Sequence, residues 1–501
     1  MSNVKPCCTL PDEDAYSDKA KYKALCFLLA VFVLTVIILL PSPGPLQNGD
    51  ELIPLTSEGK IVIGCLGFAV VLWMTEAIPF AVTSLCLMVL LHAFGVAPFN
   101  ELCKIGFGSN VLLFLMGVMG LSAAMTASGL ANRFLLMTLS KVGRRTDYIL
   151  LSFITAGTLL SMWVTDMAVA AMLVPLGVSI LKESGCEPLK SNFGKCLMIG
   201  IVYGSLIGGT ATPTGCGANV LAIQFARDMA GLNVSFADWM MVGVPGALLM
   251  IPCGWFLLMK FFPPEFKEIP MPLHQIKEEL ESLGPLNRKE RCTLIVLLIM
   301  VTLWLGGVPI GKMIGFKLPE AYIALLGFTL LFIPGLRVFP NWEEAAKCIS
   351  WSGLILIAGG IAAGMLLAKT GAARYVAWAL LSDISSLHPI LRVIAVICLV
   401  EALKVFFSSN SVTGAVVMPL IIALAMELGI NPWVFAGPAG IASSMAFIMV
   451  TSSPTNVIPY SAGYFSIAEY AKVGILMTIV GILCVTTSVA IFGPLGQMSI
   501  W

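Results

Sequence analysis

Along this chain, runs of about 20 apolar residues alternate with short polar breaks, and each run is long enough to cross a hydrocarbon layer as one helix. The pattern predicts helices over 23–41, 60–77, 79–97, 110–139, 195–226, 241–262, 292–310, 320–335, 352–380, 432–461 and 471–493. Two further apolar stretches, 148–181 and 389–427, are too long for one untilted crossing and carry polar residues at their centres. These predict helical hairpins that enter and leave on the same side. The expected fold is an all-α membrane protein with about 11 transmembrane helices and two re-entrant hairpins.

Composition strengthens that expectation. Only 11% of residues are charged, against about 25% in soluble domains, and the mean hydropathy is +0.94. The net charge of +1 and scattered Lys and Arg residues give no basic patch, so nucleic acid is not an expected partner. The 14 Cys include no CxxC pair, and His92, His274 and His388 lie far apart, so no transition-metal site or other cofactor is expected. The cysteines read as small apolar packing residues, with Cys7-Cys8 as an alternative lipidation site. About 22 mostly polar residues, Asp12, Glu13 and Asp14 among them, precede the first apolar run, which is expected to stay as an anchor.

Charge also sets an expected topology. With Lys19, Lys21 and Lys23 inside, the crossing count puts the first hairpin's flanks inside too, where "KVGRR" (141–145), Lys182, Lys190 and Lys195 lie. The polar segment 263–291 falls on the same side. The sequon Asn233-Val234-Ser235 falls in an outside loop, where it is a glycosylation acceptor in a eukaryotic cell. The chain divides into an N-terminus and first span (1–55), a first repeat (56–262), a linker (263–291) and a second repeat (292–501).

The repeat rests on four matched positions. Glu76 and Glu320 are 244 apart, Gly129 and Gly371 242, Asp166 and Asn410 244, and Asn219 and Asn456 237. An odd number of crossings separates the copies, which predicts an inverted-topology repeat, a common transporter architecture. Polar residues then collect at four places: the hairpin tips Thr165-Asp166-Met167 and Ser409-Asn410-Ser411, and the breaks "GGTATPTGCGAN" (208–219) and "TSSPTN" (451–456). A broken helix exposes N–H groups that suit an anion and C=O groups that suit a hard cation such as Na⁺. Other features read as structural. "GGVPIGKM" (306–313) misses the hydroxyl of a phosphate loop and is expected to be a membrane-edge turn; Glu76 and Glu320 sit at helix junctions.

The paired tips, each followed by an "MLVPL" or "VMPLI" run, with "TPTGCGAN" and "SSPTN" downstream, resemble the divalent anion:sodium symporter family, within the wider ion transporter superfamily. The resemblance covers nearly everything after about residue 55. It implies a homodimer in the plasma (cell inner) membrane, a scaffold domain in each protomer, and a transport domain that moves both hairpins as an elevator. It places one Na⁺ at Ser161, Thr165, Asp166 and Gly215, and another at Ser408, Asn410 and Ser452. The anion is placed at Ser409, Asn410, Ser411 and Ser453 with Asp166, Met167 and Cys216, and the break residues Asn219 and Asn456 are counted in the same set. Two departures stand out: Thr165-Asp166-Met167 replaces the family's Ser-Asn-Thr, and Val405 beside Lys404 replaces a hydroxyl.

The expected function is secondary active transport of small divalent anions, dicarboxylates such as succinate, malate or fumarate first, coupled to Na⁺. Proton-coupled or exchange transport, sulfate as substrate, and a passive anion channel stay as alternatives. An enzyme is not expected, because Asn410 stands where a second carboxylate opposite Asp166 is needed and no Ser/His pair is in place.

Overall fold

A computed structural model describes residues 13–48, 51–141, 143–269 and 274–499. Cys7 and Cys8 lie outside them. The described residues are mostly helical: α1 Glu13–Leu39, α2 Ser57–Thr75, α3 Phe80–Ala93, α4 Phe99–Gly106, α5 Asn110–Ala127, α6 Leu130–Leu139, α7 Thr146–Ser161, α8 Asp166–Glu183, α9 Asn192–Ala211, α10 Gly217–Ala230 and α11 Phe236–Phe261. After α12 (His274–Ser282) come α13 Arg288–Ile314, α14 Glu320–Leu330, α15 Trp342–Cys348, α16 Trp351–Lys369, α17 Ala372–Leu381, α18 Pro389–Lys404, α19 Asn410–Glu427, α20 Trp433–Ser444, α21 Pro454–Ser461 and α22 Ile467–Phe492. One two-stranded antiparallel hairpin, β1 Leu46–Asn48 with β2 Glu51–Ile53, follows α1. Among the described residues, nine helices are long and apolar enough to cross a membrane, and α3, α6, α7 and α14 are shorter apolar helices.

Helices α2–α11 recur in order as α13–α22. The hairpin arms match in length, 16 residues in α7 and α18 and 18 in α8 and α19. Pro175 and Pro419 interrupt the second arms at the same position. Gly129 and Gly371 both start the next helix from a left-handed backbone, φ 86° and 75°, a conformation that glycine adopts without steric penalty. Ser235 with Asp238 and Ser466 with Glu469 form matching capping boxes at the starts of α11 and α22. Packing exchanges between copies as a twofold requires: α5 lies on α14 and α16 on α3, α10 on α19 and α21 on α8, while α11 and α22 lie on each other.

The first repeat anchor needs correction. Pro79 and Pro319 are the equivalent N-caps of α3 and α14, so Glu320, one residue after Pro319, does not match Glu76, three residues before Pro79. Glu76 instead ends α2 in a left-handed conformation at φ 49°. Residues 306–313 are not a turn but the last turns of α13, which continues through Pro309 and stops at Gly315. The expected spans 110–139, 195–226, 352–380 and 432–461 are each divided into two helices. The polar linker carries its own helix, α12, and Asn233 is exposed in the loop before α11.

The linker is tied down at both ends. Buried Arg133 of α6 pairs with buried Glu290 at 2.9 Å and donates to the carbonyls of Leu283, Gly284 and Pro285. Glu265 accepts from the amides of Asn192 and Phe193 and the Ser191 hydroxyl at the start of α9. Burial pushes this carboxyl up, but the donors outweigh it and hold Glu265 below the usual carboxylate range.

The two helix breaks share one fastening. Asn219 Nδ2 donates to the carbonyls of Gly209 and Thr212, both at 2.8 Å, and Asn456 Nδ2 to those of Ala446 and Met449 at 2.7 and 3.1 Å. In both copies the acceptors lie 10 and 7 residues before the asparagine. Carbonyls left by the interrupted helix are thereby satisfied away from water. Ser444 Oγ donates to Asn219 Oδ1 at 3.0 Å and links one break to the other. Asn219→Ala and Asn456→Ala should each lower the melting temperature in detergent, since an unsatisfied buried carbonyl costs about 1–3 kcal/mol; an unchanged melting temperature would refute the fastening.

Candidate anion and cation site

Four helices begin at one cavity of about 590 Å³. They are α8 after the first tip, α19 after the second, and α10 and α21 after the two breaks. Their N-caps are Thr165, Ser409, Cys216 and Ser453, and the first three make no side-chain capping bond. No N-cap side chain therefore takes the first-turn amides of α8, α19 and α10, although in α8 the Met167 amide is taken by Asp166 Oδ1. Each helix start carries about half a positive charge. No Lys, Arg or His is among the residues that line the cavity, so the positive potential at its wall comes from backbone dipoles, with hydroxyls and one amide beside them.

The first tip places Asp166 half-buried on the wall. Its Oδ1 accepts from the Met167 amide at 3.0 Å, and the Thr455 hydroxyl also reaches the carboxylate. Gly209 keeps the space beside it clear: a Cβ there would stand 3.8 Å from Asp166 Oδ2 and 3.7 Å from the Gly215 carbonyl oxygen. The hydroxyls of Thr212 and Thr214 donate to the Met162 carbonyl at 2.6 and 2.8 Å and fix the turn between the arms. The Thr165 amide donates to Ser122 Oγ at 3.2 Å. Behind this wall, Ser161 is fully buried with no partner for its hydroxyl.

The second tip is built differently. Asn410 is buried on the wall and its Oδ1 has no partner; Ser408 Oγ also has none. Ser409 and Ser411 flank Asn410, and a Cβ on Gly217 would stand 2.5 Å from Ser411 Oγ, so any larger residue there requires that hydroxyl to turn away. Ser453 and Thr455 complete this side. Lys404 ends α18 behind the tip and donates to the Ser452 carbonyl at 2.8 Å.

Of the residues assigned to the anion from sequence, Asp166, Met167, Cys216, Ser409, Asn410, Ser411 and Ser453 line the cavity. Asn219 and Asn456 do not: both are fully buried behind the wall with their amides given to the breaks. Of the cation set, Thr165, Asp166, Gly215 and Asn410 line the cavity, while Ser161, Ser408 and Ser452 sit behind it. Sequence reasoning missed Thr455, Ser122, Ser350 and Ser352, which also line it. Thr455 lay within the "TSSPTN" break; the other three are isolated hydroxyls with no pattern to mark them.

The family model described as the sodium:sulfate symporter transmembrane region matches residues 21–498. The sodium-dependent dicarboxylate transporter SdcS of Staphylococcus saprophyticus is 28% identical over 480 residues, 93% of this chain and 90% of the relative. SdcS of Staphylococcus aureus strain bovine RF122 is 28% identical over 444 residues, 85% of each chain. Among solved structures, the YdaH transporter of Alcanivorax borkumensis aligns with TM-score 0.58 at 14% identity, covering 95% of this chain and 98% of that one. MtrF of Neisseria gonorrhoeae aligns with TM-score 0.55 at 15% identity, covering 95% of each. A multi-pass helical membrane protein with paired hairpins around one cavity, matched along almost its whole length by that model, belongs to the sodium:sulfate symporter transmembrane family, whose members are transporters and not enzymes.

Proposed function

We propose that this chain is a secondary transporter of small dicarboxylates coupled to Na⁺, working by movement of the two hairpins and the broken helices as one body. The observation that carries the reading is the convergence of four helix starts on a cavity without a basic side chain but with a carboxylate, Asp166, on its wall. A dianion is attracted by the dipoles and repelled by Asp166, so a cation beside that carboxylate favours binding. Ser161, Asp166 and the Gly215 carbonyl supply oxygen atoms there, the ligand type that a hard cation takes. A volume of about 590 Å³ accommodates a four-carbon chain, and the dicarboxylate names of the SdcS relatives support that class.

In the elevator reading, the moving body slides past α3 and α14. Arg227 of α10 pairs with Glu320 of α14 at 3.2 Å, and this contact must break for the slide. The homodimer implied by the family resemblance belongs to the same proposal and is tested by the mass of the protein in lipid nanodiscs.

Three outcomes test the reading in proteoliposomes. Asn410→Ala should weaken succinate uptake by roughly ten- to a hundred-fold, the equivalent of about 1.5–3 kcal/mol for a hydrogen bond to a charged group; normal uptake removes Asn410 from the site. Asp166→Asn should shift the dependence of succinate affinity on Na⁺, and identical Na⁺ curves would take the carboxylate out of coupling. Cysteines at 227 and 320, bridged by a bifunctional thiol reagent in a cysteine-depleted background, should stop uptake until the bridge is cleaved. Continued turnover in the bridged protein contradicts the sliding body.

A further inference from the structure

The two halves differ most in what lies behind each tip. Lys404 is 2% exposed, among the bulkiest fully enclosed side chains of the protein. Its ammonium donates to the Ser452 carbonyl at 2.8 Å, and Ser452 Oγ returns a bond to the Lys404 carbonyl at 3.3 Å. Those carbonyls belong to the end of α18 and to the short 3-10 turn Val450–Ser452. Two C-terminal helix ends that face one another present partial negative charge and attract a cation. Ser408 Oγ and Asn410 Oδ1, both without partners, belong to the same tip. An ammonium has three donors, and the Ser452 carbonyl takes one of them.

The repeat supplies the comparison. The offset of 244 that matches Asp166 with Asn410 places Leu160 opposite Lys404, Ser161 opposite Val405 and Gly157 opposite Glu401. The offset of 237 between the breaks places Gly215 opposite Ser452. The first half therefore keeps the same pair of carbonyl ends but has no side-chain cation among them. Its own charge is the Asp166 carboxylate, and its Ser161 hydroxyl has no partner. The second half already holds its cation, covalently attached. Glu401, one turn earlier on α18 and 4% exposed, has an Oε1 without a partner and lies within electrostatic reach of Lys404, as do Asp166 and Cys216.

We propose that Lys404 is a tethered cation that fills the second-half ion site, so that the chain takes its dissociable Na⁺ at the first-half tip alone. The inference rests on the reading of the tips as cation sites, but it does not depend on which anion is carried. The alternative is that Lys404 only staples α18 to the second break, as Thr212 and Thr214 staple the first turn. A staple predicts lost stability on substitution and no change in the number of Na⁺ bound.

The test counts Na⁺ on the purified full-length chain without any dicarboxylate. Bound ²²Na⁺ per chain and the rise of melting temperature with Na⁺, exchanged against choline at constant ionic strength, are measured together, since a ligand of the folded state stabilises it by mass action. Wild type should bind one Na⁺, Lys404→Arg should still bind one, Lys404→Ser should bind two, and Asp166→Asn should lose the ion that wild type binds. Two Na⁺ on wild type, none on wild type, or equal numbers on wild type and Lys404→Ser would each overturn the proposal. If Lys404→Ser does not fold, Lys404→Ala, which removes the ammonium and favours the helix, is counted in its place: two Na⁺ supports the proposal and one overturns it. Failure of succinate uptake in proteoliposomes would overturn the substrate reading and leave these counts standing.

Discussion

Interrupting a helix inside an apolar interior frees backbone groups that water cannot reach, and the rest of this structure follows from how they are satisfied. On the carbonyl side, Asn219 and Asn456 each clamp two oxygens with one amide, at the same spacing in both copies. On the amide side, the N-cap side chains Thr165, Ser409 and Cys216 do not clamp the helix starts at the cavity, and in α8 it is Asp166 that takes the Met167 amide. The same interruption thus yields a rigid frame on one side and a set of donors without N-cap partners on the other. Close approach completes it. Gly243 of α11 and Gly474 of α22 occupy equivalent positions against the carbonyls of Ala211 and Phe447, where a Cβ would collide. Trp239 Nε1 and Tyr470 Oη, also equivalent, donate to the carbonyls of Thr210 and Ala446 beside them.

Much of this is legible in the sequence because the requirement repeats. Gly129 and Gly371, Asp166 and Asn410, and Asn219 and Asn456 recur at nearly constant offset, and all three pairs occupy equivalent places. What was not legible has physical causes. Glu76 and Glu320 share a residue type and a neighbouring proline, yet the left-handed turn at Glu76 puts it on the other side of the junction. The helices α4, α12 and α15 span 8, 9 and 7 residues, too short for periodicity to separate them from loop. The stretch 306–313 reads as punctuation because of Gly306, Gly307, Pro309 and Gly311, but α13 carries it as helix. The asparagines of the breaks were legible as polar centres, but sequence alone did not reveal that they face the backbone and not the ligand.

The cavity's electrostatics rest on a departure from symmetry. Four helix starts amount to roughly two positive charges, enough to attract a dianion without any basic side chain on the wall. Against this neutral plan, the first half has Asp166 where the other copy has Asn410, and the second has Lys404 and Glu401 where the other copy has Leu160 and Gly157. Asp166 and Lys404 lie within electrostatic reach of one another. Of the two, Asp166 is on the cavity wall, while Lys404 lies behind the second tip with Glu401 beside it. In the proposed cycle a dianion is drawn toward Ser409, Asn410 and Ser411, and a free cation toward Asp166 and the Gly215 carbonyl. An exact twofold site offers two equal places for a cation and none favoured for the anion. The unlike side chains remove that degeneracy while the backbone frame of both halves stays the same, so in the proposed cycle the ligands are sorted by charge before any helix has to move.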